Sequence, residues 1–353
     1  MKQRESNIEL FRCVLMMMII YLHLLIHGVN GEFGTFNNSE VLPTSLLESL
    51  TAIFCMVAVN CYVIISGYFG INIIKDGKVN YLRLIKTYLP ILFYSIVIAS
   101  ISYFRGEIST KELLSFFFPI FTRKWWFATC YIILCFISPF LNLIIDEYWN
   151  NKYLIIILIG ISVSTYFFEG KDFANILGLQ SLGFSTICLC YCIGRIIFKY
   201  RNNDIKYCNL KSRFYFLLYV LTIIIIWTPV VILFKIFGKN YWFRIATYVC
   251  PATLLASIFL FLAFINLKLK YSKLINILGS TTFGIYLIHE NPLIRPVLYK
   301  TINAIRYKQN FIILFFYLLF VVFVVFVVFA IVELIRSNVS NLIAKIYINR
   351  NKR

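Results

Sequence analysis

Ionisable side chains are costly inside a membrane-length apolar run, so each needs a reason. In the run from Ile8 to His27 the set that stands out is Arg12, His23 and His27. Eleven helical steps from Arg12 to His23 advance about 1100°, within about 20° of three full turns. The two side chains therefore share one face, about 16.5 Å apart along the axis. That is about half the hydrocarbon thickness of a bilayer, and comparable to the reach of an extended pantetheine arm. The pair suits a ligand whose anionic head is held at Arg12 and whose reactive end sits deep in the membrane at His23. There His23 has two possible roles, general base on a hydroxyl or nucleophile that carries the group. Against this stand the bland readings, a snorkelling arginine and a hydrogen-bonded core histidine. His27, one turn on, is expected to continue the face outward. His23 and His27 at i, i+4 are half of a metal site, but no glutamate follows His23 and no further ligand is evident, so no metal is expected.

The element that must hold these groups is a transmembrane helix. Of the 353 residues, 61% are hydrophobic, 18% aromatic and only 14% charged. A soluble domain averages about 25% charged, and apolar runs this continuous do not alternate as barrel strands do. The fold class expected is all-α: a polytopic transmembrane helical bundle of about ten spans, one membrane-embedded domain over 1–353, with no soluble domain. The expected spans are 8–28, 48–70, 86–104, 125–145, 153–168, 176–198, 214–236, 246–267, 276–294 and 311–334. The fifth is short, and Gly279 and Gly284 are expected to break the ninth. The first run lacks a small-residue cleavage site and reads as a retained helix.

The net charge of +19 does not point to nucleic acid, because the basic residues lie in short runs between apolar segments. With the N-terminus inside, the inner connections hold about 20 Lys and Arg and the outer ones about 12, so both termini are expected to be cytoplasmic. Trp125 and Trp126 read as interfacial aromatics opening the fourth span. The ten cysteines read as small packing residues, because nearly all lie inside apolar runs. Ser66 and Gly67 read as close helix-packing residues, and the run at 320–330 as lipid-facing filler. His289, with Glu290 after it, ends the ninth span near the outer face. The pair is expected either to meet an acceptor or orient His23, or to be a polar helix end.

Five segments in order resemble the acyltransferase 3 membrane family. "SNIELFRCVLMMMIIYLHLLIHG" is similar to its first helix, marked by an arginine, ten residues and a histidine. "VIISGYFG" at 63–70, "YLRLIKTYLP" at 81–90, "WWFATCYIILCFISPFLN" at 125–142 and "STTFGIYLIHENPLIR" at 280–295 resemble its later motifs. In the basic motif the second cation is Lys86 rather than arginine, which gives up the bidentate fork on phosphate. The resemblance implies an acyl-CoA-dependent O-acyltransferase, usually an acetyltransferase acting on cell-surface glycans, in a bacterial cytoplasmic membrane. It implies acetyl-CoA as donor, held by Arg12, Arg83 and Lys86, with His23 as the catalytic group. The acceptor would be a glycan or lipid-linked glycan. Arg83 and Lys86 also fit the ordinary positive-inside signal. The runner-up is a transporter or flippase of a lipid-linked glycan, although inverted repeats are not evident. A polymerase would need a larger outer loop. Oligomeric state is not legible.

Overall fold

A computed structural model describes residues 4–29, 43–71, 74–75, 78–79, 81–168, 183–203, 208–238, 240–307 and 309–350. These residues are almost wholly helical. Turns and short connections such as 105–109 and 116–125 join the helices, and the described residues include one antiparallel pair of two-residue strands, β1 (Ile74–Lys75) and β2 (Lys78–Val79). Six helical segments are long and apolar enough to cross a membrane: Ser6–Val29, Leu46–Phe69, Leu84–Phe104, Trp126–Tyr148, Ser212–Phe237 and Phe311–Ile343. Four more helices occupy the other expected places.

In chain order, α1 (Ser6–His23) runs on as a π-helical segment, Leu24–Val29. Then come α2 (Pro43–Met56), α3 (Ala58–Phe69), α4 (Tyr81–Phe104), α5 (Thr110–Ser115), α6 (Trp126–Tyr148) and α7 (Lys152–Phe168). They are followed by α8 (Phe184–Asn202), α9 (Ser212–Phe237), α10 (Trp242–Ile245) and α11 (Pro251–Ile265). The last are α12 (Lys273–His289), α13 (Ile294–Ile302) and α14 (Phe311–Arg350).

Two expectations change here. The ninth span is not broken: α12 is one helix through both Gly279 and Gly284. The glycines serve close approach instead, since a Cβ at Gly279 would collide with the Glu9 side chain of α1. The expected sixth span, 176–198, is helical from Phe184, and residues 176–182 lie outside the described residues. The run at 320–330 is only half lipid-facing. Phe320 and Phe323 are exposed, whereas Val321, Val322, Val325 and Phe326 are buried.

The core is built around α1. Phe11, Leu15, Leu24 and Leu25 have almost no exposed surface, and Phe11 stacks on Phe264 of α11 at 4.3 Å. Helix α12 lies parallel to α1. Near the start, Ser6 Oγ donates to Asn276 Oδ1 at 3.1 Å and accepts from the Ser272 backbone N–H at 2.9 Å. Near the far end, His23 meets His289. Helices α3 and α8 press backbone to backbone where Gly67 faces the Tyr191 carbonyl, because any Cβ there would overlap it. Gly67 is therefore a packing residue as expected, while its neighbour Ser66 faces a cavity. The ten cysteines are all free thiols.

Candidate active site

A cavity of about 680 Å³ runs beside α1 and is lined from Arg4 to His23 by one face of that helix: Ile8, Glu9, Arg12, Met16 and Ile19 in between. Their spacing of three and four residues is the helical period made visible. Helices α3, α4, α6 and α12 supply the other walls, through Tyr62, Ser66, Lys86, Tyr131, Thr282 and Tyr286 among others. Arg12, Lys86 and His23 therefore line one space. The side chain of Arg83 lies outside the described residues. Trp125 and Trp126 open the fourth span as expected, but both turn into the protein. Trp125 is buried, and Trp126 lines the cavity with its indole stacked on Tyr248 at 6.0 Å.

At the end where α1 begins, two cations share one carboxylate. Arg4 Nη1 is 3.4 Å and Arg12 Nη1 3.6 Å from Glu9 Oε1. Glu9 is 5% exposed, and its Oε2 has no hydrogen-bond partner among the described residues. Sequence reasoning missed Glu9. Its signal was present: an acid in an apolar run, three residues before Arg12 and so on the same face.

At the other end three ligating groups converge. His23 Nδ1 is 3.2 Å from His289 Nε2 and 3.0 Å from Glu290 Oε1. His289 and Glu290 come from the last residue of α12 and the one after it, 266 residues along the chain from His23 for the histidine pair. Hydrogen placement follows from the partners. His289 Nδ1 lies 2.8 Å from the Ile285 carbonyl, which only accepts, so Nδ1 carries the hydrogen and the neutral ring's Nε2 is an acceptor. His23 Nδ1 then faces two acceptors, Nε2 and the carboxylate, and must itself be the donor. That fixes the neutral His23 ring as the Nδ1–H tautomer and leaves the lone pair on Nε2, with His23 lining the cavity.

A second layer holds the carboxylate. Tyr299 of α13 donates to Glu290 Oε1 at 3.2 Å, and Arg295 Nη1 stands 3.7 Å from Oε2. Burial and the adjacent Glu290 carboxylate push the Tyr299 phenol well above its ordinary value, so it stays a donor. His27 does not continue the cavity face. The π-helical turn after His23 sets its ring 5.8 Å from His23 and stacks it on Tyr299 at 5.7 Å.

His27 is not in the cluster that forms: His23 is joined instead by His289, the last residue of α12, and by Glu290. Ligating atoms of His23, His289 and Glu290 all lie within 4.8 Å of one another, a set able to hold a cation. The hydrogen-bond pattern accounts for the same atoms as a proton-handling group.

Comparison with protein families matches a model described as an acyltransferase domain (acyltransferase 3) over residues 5–332, nearly the whole chain. No curated protein matches the chain, and no solved structure does.

Proposed function

The chain belongs to that acyltransferase family, and on this premise we propose a membrane O-acyltransferase that moves an acetyl group from cytoplasmic acetyl-CoA to a hydroxyl of a cell-surface polysaccharide or its lipid-linked precursor. The observation that carries the reading is the single cavity joining Arg12 and Lys86 to His23. The helical rise of about 16.5 Å from Arg12 to His23 suits a long donor with charge at one end and a thioester at the other. The lysine and arginine bias orients the N-terminus to the cytoplasm, with ten crossings and both termini inside. The cation-bearing mouth then faces the donor pool of a bacterial cytoplasmic membrane. Family membership favours this over transport or flipping of a lipid-linked glycan.

The donor's phosphates sit with Arg12, Arg83 and Lys86. The acceptor hydroxyl meets His23 at Nε2, on the ring edge turned away from His289 and Glu290. His23 Nε2 takes its proton as the oxygen bonds to the thioester carbonyl carbon. The carbon–sulfur bond then breaks, and the imidazolium returns the proton to the departing thiolate, leaving ester and free CoA. Glu290 stabilises the imidazolium between these two transfers, and His289 with Glu290 holds the ring so that Nε2 is the free nitrogen.

The test is glycan O-acetyl content in cells carrying the native protein, a deletion, and His23→Ala, at matched membrane abundance. Loss in both altered strains supports the reading. Acetylation retained in all three removes the proposed reaction.

A further inference from the structure

The middle of the cavity carries hydroxyls that neither the anion-binding end nor the histidine end uses. On α3, Tyr62 donates its hydroxyl to the Arg12 backbone carbonyl at 2.6 Å, and Ser66 Oγ donates to the Tyr62 carbonyl at 3.0 Å. On α6, the Tyr131 hydroxyl lies 3.3 Å from Ser66 Oγ. All three side chains line the cavity and are half-buried.

Their level along the cavity follows from these contacts. Helical side chains lean toward the N-terminus, and Arg12 reaches back to Glu9. The hydroxyl group, tied to the Arg12 backbone, therefore sits on the His23 side of the guanidinium. Along α6, Tyr131 is one turn past Phe127, whose ring meets Tyr286, and Tyr286 in turn meets His289. The hydroxyls thus form a belt between the two functional ends. The neighbouring wall is apolar: Ile8, Met16, Ile19, Val59 and Ile65.

Apart from one secondary hydroxyl at its phosphate end, the polar groups of a pantetheine arm are two secondary amides. Each amide loses its water on entering such a channel, and leaving it unpaired is costly. We propose that Ser66 and Tyr131, with Tyr62 bracing them, form the binding subsite for the amides of the donor's pantetheine arm. This rests on the acyl-CoA reading above. The belt sets how deep the thioester travels, and so aligns the carbonyl carbon with His23.

The experiment is competition binding on the full-length protein in lipid nanodiscs, with labelled acetyl-CoA displaced by CoA, pantetheine or adenosine 3′,5′-bisphosphate. Native protein is compared with Tyr131→Phe, Ser66→Ala and Arg12→Ala. Each belt variant is expected to weaken CoA and pantetheine by a common factor, about threefold to tenfold, the loss of one net hydrogen bond. Adenosine bisphosphate, which lacks the arm, is expected to bind the belt variants as it binds the native protein, and this also certifies their folding. Arg12→Ala should do the reverse, weakening the bisphosphate and CoA while sparing pantetheine. Belt variants that bind pantetheine as the native protein does would overturn the subsite and leave the donor reading standing. Belt variants that lose bisphosphate binding equally would also overturn it, since the effect would not be confined to the arm. Native protein that fails to bind acetyl-CoA would overturn the donor reading and the subsite together.

Discussion

Among the carboxylate-centred clusters of the membrane helices, two are built differently. One joins α4 and α14. Glu333 takes both guanidinium contacts of Arg336, at 2.6 and 2.7 Å, and the Tyr94 hydroxyl at 2.7 Å. Every strong partner in that group is committed, at short range, and its residues do not line the cavity. The other joins α1 to the end of α12. Its contacts are longer, from 3.0 to 3.7 Å, and it contains an imidazole whose second nitrogen is not part of the network. In the first, the ion pair lies within α14 and the Tyr94 hydroxyl ties it to α4, so the group is structural. An unsaturated one beside a cavity keeps a lone pair available for work. Burial and charge alone do not separate these cases; commitment of the last acceptor does.

The difference can be sharpened by substitutions in both clusters. Glu290→Gln keeps the size of the side chain but removes the charge that stabilises the imidazolium. Steady-state acyl transfer by this variant should fall by about 10² to 10³ in kcat, with acetyl-CoA binding unchanged. A fall of less than threefold would show that Glu290 does not support His23. Next comes Arg12→Ala, measured as KM for acetyl-CoA, which should rise by about tenfold to a hundredfold for the loss of a charge-assisted contact. An unchanged KM would remove its role in holding the donor.

Glu333→Gln should behave in the opposite way. It leaves Arg336 without its counter-charge in a buried setting, which costs about 3–5 kcal/mol. The amount of folded protein and its thermal stability in detergent should drop, while turnover per folded molecule stays within about twofold. A large loss of turnover at full stability would place Glu333 in the chemistry and erase the contrast. The smallest effect expected is that of a strong zinc chelator, which should leave the transfer rate unchanged. A loss reversed by added zinc would instead make His23, His289 and Glu290 a metal centre.

The share of this legible in the sequence has a physical boundary. Arg12 and His23 were placed on one face by the helical period alone, and both do line one cavity. That relation is local and survives any packing. The partners of His23 were legible only as one alternative, His289 and Glu290 orienting it rather than meeting an acceptor, because their contact depends on α1 and α12 lying parallel and in register, which Ser6 with Asn276 and Glu9 against Gly279 determine. The expected break in α12 came from reading glycine as a helix breaker, whereas between membrane helices it admits a neighbour. His27 left the predicted face because the helix widens to the π form after His23, a change the residue pattern does not announce.

The most direct test of the account is the rate of acetyl transfer from labelled acetyl-CoA to membrane glycan in reconstituted vesicles, comparing His23→Ala with Glu333→Gln at equal amounts of folded protein. His23→Ala should lose about a thousandfold or more, while Glu333→Gln retains turnover near the native level. Transfer by His23→Ala at the native rate would contradict it.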